Sequence, residues 1–336
     1  MQGDDTRDKE IITQLEELTM RSMSAAVLLA VSFSVACSNP RDLSKDLEPG
    51  TGFIDVPGGK VWYQVVGTGH RTPLLLLHGG PGGSSYYLKP LASLGADRPV
   101  IFYDQLGGGR SDRPNDTTLW RMERFVHEVT AVREALGLER VHILGHSFGT
   151  LILADYLKTK PKGVRSAIFA SPVLDVPGYI EDVKGLLARM PDSMQRIITN
   201  AEKKGTTDSP EYQEAMMTFY QRHLARTLPW SADVDSTISQ LNPGPYVYMQ
   251  GPSEFTINGT LKTYDATASL RNIPVPTLFV SGQYDEVVPS RVKKFQELAP
   301  GSDREIIANA AHFMMQDQPA AFVTTIRDWL RHVERD

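Results

Sequence analysis

The sequence predicts an α/β fold in which a mostly parallel, doubly wound sheet carries an inserted helical cap. Three observations predict it. Short apolar runs alternate with helical patterns over residues 51–175, as in parallel sheets covered by helices on both faces. The alternation stops over residues 176–272 and resumes over residues 273–336, which indicates an insertion into the sheet domain. The 336-residue chain is 41% apolar and 22% charged, the composition of an ordinary globular protein.

Residues 1–50 precede this domain and are predicted to be a leader followed by a polar tether. Arg21 comes before a short apolar segment over residues 25–36, a pattern typical of a bacterial export signal. Ser34-Val35-Ala36-Cys37 resembles a lipobox, in which the cysteine is lipidated and becomes the mature N-terminus. We therefore expect an exported protein, either periplasmic or attached to the membrane through lipidated Cys37.

Other interpretations of the leader stay open. Residues 1–19 are acidic, which is unusual at the start of an export signal and indicates a translation start at Met20 or Met23. Alternatively, residues 10–36 form an amphipathic or buried N-terminal helix of a cytoplasmic protein. In either case the single cysteine excludes an internal disulfide framework.

The sheet domain begins with a predicted antiparallel hairpin over residues 53–66. Residues 73–77 and 99–103 are continuous apolar runs, as expected for strands buried on both faces. An amphipathic helix is predicted over about residues 118–136. The two apolar runs end in glycine-rich segments, His78-Gly79-Gly80-Pro81-Gly82-Gly83 and Asp-Gln-Leu-Gly-Gly-Gly-Arg-Ser at 104–111.

The next strand, residues 141–144, leads into Gly145-His146-Ser147-Phe148-Gly149 and then into a helical stretch over residues 151–157. Strand, Gly-x-Ser-x-Gly and helix together form the pattern of a nucleophile elbow. The turn is so tight that side chains beside the serine would clash, which explains the two glycines. We therefore predict that Ser147 is a nucleophile exposed above the sheet. The alternative is a strand-to-helix turn with an incidental serine.

Residues 176–272 lack good candidates for buried strands and are punctuated by prolines. We expect this stretch to form a helical cap over the carboxyl ends of the strands. It is rich in aromatic residues, most of which are expected to form the core of the cap. These are Tyr212, Phe219, Tyr220, Trp230, Tyr246, Tyr248 and Phe255.

Two polar residues follow the last predicted strands. Asp285 comes just after a strand at residues 276–281, and His312 comes just after a short strand at residues 304–308. A closing helix is predicted over about residues 319–333 from its apolar spacing. In a parallel sheet, residues that follow the strands' carboxyl ends meet at one edge, where binding sites form.

Ser147, Asp285 and His312 therefore form a candidate catalytic triad. A serine hydroxyl needs a base to take its proton, and a buried carboxylate holds that base in the right tautomer. The chain order Ser, Asp, His is the one that α/β-hydrolases use. Glu286 is an alternative for the acid, although Asp285 is better placed. His146 also lies near the serine, but inside the elbow it is too close in sequence to reach around.

A tetrahedral intermediate needs two preorganised N–H donors, and losing one costs about 10²–10³ in rate. The backbone N–H of Phe148, directly after the nucleophile, is one candidate. Gly80, the second residue after His78 at the end of a buried strand, is the other. Glycine at this position allows the backbone to approach the substrate closely.

Together these motifs resemble the proline iminopeptidase family of α/β-hydrolases over about residues 50–334. The elbow, Gly-x-Tyr-Asp-Glu at 282–286 and the late His312 contribute to the resemblance. The most specific part is the pairing of His-Gly-Gly-Pro-Gly with Asp-Gln-x-Gly-x-Gly-Arg-Ser. The resemblance implies a serine exopeptidase that releases an N-terminal residue, proline first of all, from a small peptide or an amino-acid amide through an acyl-enzyme.

Gly251-Pro252-Ser253-Glu254-Phe255-Thr256 resembles a segment of the tricorn-interacting aminopeptidases, where glutamates of the cap grip the free amine of the substrate. Glu254 matches that role, and Glu214 is a looser match. The elbow departs from the pattern, because it reads Gly-His-Ser-Phe-Gly-Thr where these aminopeptidases more often have Gly-Gly-Ser-Tyr/Trp-Gly-Gly. The departure concerns the substrate more than the mechanism, since the family also contains amino-acid amidases.

Other functions are compatible with the sequence. An amino-acid amidase, esterase or lactonase would use the same triad on a non-peptide substrate, and Glu254 would then be structural. A catalytically silent binding protein is disfavoured by the complete triad. The net charge of −5 without a basic stripe argues against nucleic acid as a partner. The spacing of the histidines implies no metal, and no cofactor is expected. The sequence does not determine the oligomeric state.

Overall fold

The computed structural model describes residues 47–335. Within this range eight strands form one sheet in the order β1-β2-β4-β3-β5-β6-β7-β8. The first two neighbouring pairs in this order are antiparallel and the other five are parallel, which confirms the predicted mostly parallel α/β fold. The strands are β1 (Gly50–Val56), β2 (Gly59–Val66), β3 (Leu74–Leu77), β4 (Val100–Tyr103), β5 (Val141–His146), β6 (Val164–Ala170), β7 (Thr277–Gly282) and β8 (Asp303–Ile307).

Helices connect the strands, and several of them follow one another between two strands of the sheet. Helices α3 to α8 lie between β6 and β7 in the chain, and the domain limits of 176 and 272 stay a prediction. The α-helices are α1 (Met122–Ala135), α2 (Phe148–Lys158), α3 (Val176–Leu187), α4 (Asp192–Lys204), α5 (Pro210–His223), α6 (Ala232–Ser239), α7 (Pro243–Met249), α8 (Thr267–Leu270), α9 (Pro289–Leu298), α10 (Met314–Asp317) and α11 (Pro319–Val333), with 3₁₀ segments at Tyr86–Ala96 and Thr117–Leu119.

Two connections differ from the sequence-based expectation. The helix expected from about residue 118 begins at Met122, because Asp116 caps a separate 3₁₀ segment by accepting the N–H of Thr118. The 3₁₀ segment Tyr86–Ala96 has no counterpart in the predicted elements. It contains Pro90, which lacks an N–H and interrupts the helical pattern.

The parallel strands align their carboxyl ends at one edge of the sheet. His146 of β5 pairs with Ala170 of β6, and Gly282 of β7 pairs with Ile307 of β8. The central strand β3 is fully buried between β4 and β5, which explains its uninterrupted run of leucines. The loops after β3, β5, β7 and β8 therefore emerge together, and they carry the candidate catalytic residues.

The inserted helices are tied to the sheet domain by a partly buried ion-pair cluster. Arg291 of α9 pairs with Asp175 at 2.8 Å and also with Asp182 of α3. Tyr212 and Phe219, two of the expected cap-core aromatics, are buried on α5. This packing holds in place the helices that cover the cavity described below.

The predicted leader, with Cys37, lies outside the described residues. None of the helices within residues 47–335 combines the length and apolarity needed to cross a bilayer.

Candidate active site

Ser147 occupies a strained turn between β5 and α2, with φ of 52° and ψ of −122°. A residue with a Cβ adopts positive φ only when its surroundings enforce it. One enforcing contact is the hydrogen bond from the N–H of Ser147 to the carbonyl of Ala170, at 3.0 Å. A Cβ on Gly149 would lie 2.1 Å from the carbonyl oxygen of Leu77, so only glycine lets α2 approach β3. The turn places Ser147 in the wall of a cavity at the sheet edge.

His312 and Asp285 are brought together by the loops after β8 and β7. The Nδ1 atom of His312 lies 2.8 Å from Oδ1 of Asp285. The carboxylate also accepts the hydroxyl of Ser171 at 2.6 Å and the N–H of Val287 at 2.9 Å. Because Nδ1 donates to the carboxylate, Nε2 of His312 is the atom left to act on Ser147, which lines the same cavity. Ser171, which orients the acid, gave no signal in the sequence.

Two glycines and the start of α2 form the candidate oxyanion hole. Gly79 and Gly80 line the cavity with Ser147, and Gly80 has a φ of +58°. Phe148 is the first residue of α2, so its N–H has no acceptor within the helix. The positive end of the helix dipole also points to this position. Gly80 and Phe148 thus adjoin Ser147 in the walls of the site, and their role as oxyanion donors stays a prediction.

A buried hydrogen-bond network joins the loop after β3 to His146 at the end of β5 and, through it, to His312. The N–H of Gly79 donates to the hydroxyl of Tyr87 at 2.6 Å, and that hydroxyl lies 2.8 Å from Nδ1 of His146. Nε2 of His146 lies 2.9 Å from the carbonyl oxygen of His312. Since a carbonyl only accepts, Nε2 carries the proton, and Tyr87 donates to Nδ1. Burial holds the pKa of His146 well below 6.5, so His146 is a neutral link rather than a base.

Hydrogen bonds connect the two glycine-rich segments that follow β3 and β4. Asp104 accepts the N–H and the hydroxyl of Ser85, at 2.8 and 2.7 Å, and forms an ion pair with Arg110 at 2.7 Å. The N–H of Gln105 donates to Nε2 of His78 at 2.9 Å. The guanidinium carbon of Arg110 lies 3.2 Å from the ring centroid of Trp62. The motif at 104–111 therefore acts as a scaffold for the loop after β3.

Two carboxylates line the cavity with Ser147 and His312. Glu254 accepts hydrogen bonds from the hydroxyls of Tyr179 and Tyr246, at 2.7 and 2.5 Å, and from Nε2 of Gln250 at 2.8 Å. Glu286 is buried, and its Oε2 atom has no hydrogen-bond partner within the described part of the chain. A buried carboxylate oxygen without a partner is costly, so this oxygen is available to a cationic group in the cavity.

Glu214, the looser of the two predicted substrate contacts, does not reach the cavity. It lies on the exposed face of α5, whose buried face carries Tyr212, Ala215 and Phe219. Because consecutive helix positions differ by about 100°, a residue next to Ala215 turns away from the core. Glu286 is the second carboxylate instead. The sequence singled it out only as an alternative triad acid, although its position directly after Asp285 was the signal.

The charges in the cavity shift the pKa values of His312 and Glu286. Burial lowers the pKa of His312, but the negative charges of Glu286 and Asp285 outweigh burial and raise it above 6.5. Burial raises the pKa of Glu286 well above 4.5, and the charge of Glu254 adds to this shift. Within residues 47–335 no group of three His, Cys, Asp or Glu side chains is arranged to hold a metal ion.

Comparisons with known proteins agree with the α/β fold and identify the family. A family model described as the alpha/beta hydrolase fold matches residues 72–319. The proline iminopeptidase of Heyndrickxia coagulans is 43% identical over 286 residues, which are 84% of this chain and 99% of that protein. The proline iminopeptidase of Saccharolobus solfataricus is 34% identical over 286 residues, 84% of this chain and 92% of that protein.

A solved structure indicates the same family. The crystal structure of proline iminopeptidase from Mycobacterium smegmatis superimposes with a TM-score of 0.79 at 29% identity, covering 84% of this chain and 98% of that one. The identity to the curated relatives extends over nearly their whole length, so the similarity is not confined to the catalytic motifs. The chain therefore belongs to the α/β-hydrolase fold family and, within it, to the proline iminopeptidases.

Proposed function

We propose that this protein is a serine exopeptidase that releases an N-terminal residue, proline first of all, from small peptides or amino-acid amides. The observation that carries the proposal is the pair of carboxylates, Glu254 and Glu286, in the cavity that holds Ser147 and His312. A free N-terminus is a cation at neutral pH, and it is the group that an exopeptidase must distinguish from an internal peptide bond. The family relationship supports the same activity.

The cavity suits the part of the substrate that carries the free N-terminus. Its volume is about 120 Å³, and its walls are largely apolar apart from the carboxylates. The apolar walls suit a proline ring, and the carboxylates suit its ammonium group. A charge-assisted hydrogen bond contributes about 1.5–3 kcal/mol, so the ammonium group supplies much of the recognition.

The chemistry follows from the positions of the three triad residues. His312 takes the proton of Ser147 through Nε2 as the hydroxyl attacks the first carbonyl of the substrate. Asp285 stabilises the imidazolium through Nδ1, and the N–H groups of Gly80 and Phe148 bind the oxyanion. His312 then gives the proton to the leaving amine, which departs and leaves an acyl-enzyme. Water, deprotonated by the same base, hydrolyses the ester and restores Ser147.

Initial rates on three substrates test this proposal. Proline p-nitroanilide should be cleaved efficiently, whereas N-acetylproline p-nitroanilide should be a poor substrate because it lacks the cation. p-Nitrophenyl acetate reports the triad without any amine. Comparable cleavage of the acetylated and free p-nitroanilides would refute the exopeptidase assignment and favour the esterase or lactonase alternative. Proline amide cleaved in preference to prolyl dipeptides would favour the amino-acid amidase.

We also propose that the chain is exported and attached to the membrane through lipidated Cys37. The support is the lipobox-like Ser34-Val35-Ala36-Cys37, which contains the single cysteine of the chain. The cell-made protein should partition into the detergent phase with a blocked N-terminus, whereas Cys37→Ala should stay aqueous and uncleaved. Intact-mass analysis that finds an unprocessed chain beginning at Met1 in the aqueous phase would contradict the proposal.

A further inference from the structure

The atom of His312 that acts on the nucleophile also faces a second carboxylate. Nε2 of His312 lies 3.6 Å from Oε1 of Glu286, while Nδ1 is held by Asp285 at 2.8 Å. Both Glu286 and His312 are almost fully buried, at 3% and 2% exposed. The imidazole therefore lies between two carboxylates, and one of them competes with Ser147 for Nε2.

The other groups around this pair do not neutralise the carboxylates. Glu254, in the loop between α7 and α8, lines the same cavity and adds a third negative charge. The ring of His146 from the elbow lies 4.7 Å from that of His312, but burial keeps it neutral. Of the phenols facing Glu286, burial raises the pKa of Tyr179, Tyr220 and Tyr246 well above 10, so they are uncharged. Three carboxylates thus surround one imidazole.

We propose that Glu286 and His312 share one proton in the free enzyme and that the ammonium group of the substrate displaces it. The inference rests on the proposed function, because it requires a substrate with a cationic amine. His312 becomes a free base only when such a substrate occupies the cavity. Glu286 is then a positioning residue for the base as well as a contact for the amine.

The proton balance is the same for either arrangement of the free pair. Ionised Glu286 with protonated His312, and protonated Glu286 with neutral His312, each hold one proton. The bound ammonium brings its own positive charge to Glu286, so the shared proton is no longer needed there and leaves to solvent. The complex then contains ionised Glu286 and neutral His312, and Ser147 can transfer its proton to Nε2. One proton is released for each amine bound.

This arrangement makes amine recognition a requirement for turnover as well as for binding. An uncharged ester that enters the cavity at neutral pH meets a His312 whose Nε2 atom is engaged by the shared proton, and it therefore reacts slowly. The raised pKa values of His312 and Glu286 agree with a shared proton. The free enzyme should therefore show its acidic limb at higher pH than the substrate complex does.

The pH dependence of ester hydrolysis tests the proposal without any amine substrate. The kcat/KM profile reports the pKa values of the free enzyme. In Glu286→Gln, the acidic limb for p-nitrophenyl acetate should move down by about one to three pH units, because an opposite charge beside His312 is lost. The ester rate at about pH 6.5 should rise accordingly. An acidic limb that does not move would overturn the proposal.

Glu254→Gln is the matched control. It removes a carboxylate from the same cavity, but Glu254 is engaged by Tyr179, Tyr246 and Gln250 rather than by His312. Both variants should lose activity on proline p-nitroanilide, whereas only Glu286→Gln should shift the ester profile substantially. Equal shifts in the two variants would show that the general negative charge, not the Glu286 contact, holds the proton. Thermal unfolding of both variants verifies that they fold.

Proton release gives a second readout that needs no turnover. Prolinamide binding to Ser147→Ala is followed by calorimetry in two buffers with different heats of ionisation at pH 7. About one proton should be released per ligand bound, and about none when Glu286→Gln is added. N-acetylprolinamide should release none. Binding of prolinamide without proton release would overturn the proposal.

These outcomes separate the proposal from the proposed function. If prolyl substrates are cleaved but the ester profile of Glu286→Gln matches wild type, the shared proton is refuted and the exopeptidase stands. If the ester profile shifts but N-acetylproline p-nitroanilide is cleaved as well as the free form, Glu286 controls the base and the amine-recognition function fails.

Discussion

Replacing Tyr87 with phenylalanine should impair both stability and turnover through a single hydroxyl. That hydroxyl accepts the N–H of Gly79 at 2.6 Å and donates to Nδ1 of His146 at 2.8 Å, in a buried setting. Leaving a buried partner unsatisfied costs about 1–3 kcal/mol, so two partners amount to about 2–6 kcal/mol in the free energy of unfolding. Phenylalanine keeps the ring stacked on Phe313, so no cavity larger than the oxygen is created.

The catalytic effect comes from the position of Gly79 beside the oxyanion hole. Without the Tyr87 hydroxyl, the loop after β3 loses one hydrogen bond, and His146 loses the partner that orients it toward the carbonyl of His312. Removing an oxyanion donor outright costs about 10²–10³ in kcat. Loosening one should cost less, so we expect kcat to fall about tenfold on both proline p-nitroanilide and p-nitrophenyl acetate, with a smaller change in KM.

Tyr264→Phe is the control for this prediction. Its hydroxyl donates to Asp155 at 3.0 Å and to the carbonyl of Leu151 at 3.2 Å, away from the cavity. Urea unfolding should show a loss of stability in both variants, but only Tyr87→Phe should lose kcat. If the two variants lose similar stability and Tyr87→Phe keeps kcat within about twofold of wild type, the network is structural only, and the reasoning is refuted.

Three other predictions follow from the site and the C-terminal helix. Ser147→Ala should abolish turnover while preserving the fold, and retention of more than about 1% of kcat/KM on proline p-nitroanilide would remove Ser147 as the nucleophile. Glu254→Gln should lower kcat/KM for that substrate by about tenfold or more and change p-nitrophenyl acetate hydrolysis far less, whereas equal losses on both would contradict a role in amine binding. Burial raises the pKa of Glu334, but hydrogen bonds from His142 and Arg98 outweigh it and hold the pKa well below 4.5. Glu334→Gln should therefore cost about 3 kcal/mol in unfolding free energy at pH 7, and the difference from wild type should shrink as pH falls below about 4.5; a difference independent of pH would contradict the ion pair.

The sequence by itself determined the fold class and predicted the three candidate triad residues that the structure brings to one edge of the sheet. Strand and helix patterns are local properties, since they depend on which neighbouring positions are apolar. Ser147 directly follows β5, and Asp285 and His312 lie in the loops after β7 and β8; parallel strands bring their carboxyl ends to one edge. The chain order Ser, Asp, His and the tight Gly-x-Ser-x-Gly turn indicated the role of each residue. No long-range contact had to be known for this prediction.

The tertiary structure alone decided which polar groups share the cavity with the triad. Glu254 lies in the loop between α7 and α8 and Glu214 lies on α5, and only the packing of the inserted segment places the first in the cavity and the second on an exposed face. The direction of a side chain depends on helix rotation and crossing, which the sequence pattern does not specify to within one residue. The same holds for Glu286, one position beyond Asp285, whose contact with Nε2 of His312 depends on how the loops after β7 and β8 meet.

The link from Gly79 through Tyr87 and His146 to His312 is likewise a property of the folded chain. These residues come from four separate segments, and their hydrogen bonds form only when the loops after β3, β5 and β8 pack against the 3₁₀ segment Tyr86–Ala96. A buried tyrosine or histidine has no spacing signature of its own, because its partner can lie anywhere in the chain. Short-range patterns therefore predict where the candidate nucleophile, acid and base lie in the chain. Long-range packing determines which groups orient them and which groups shift their pKa values.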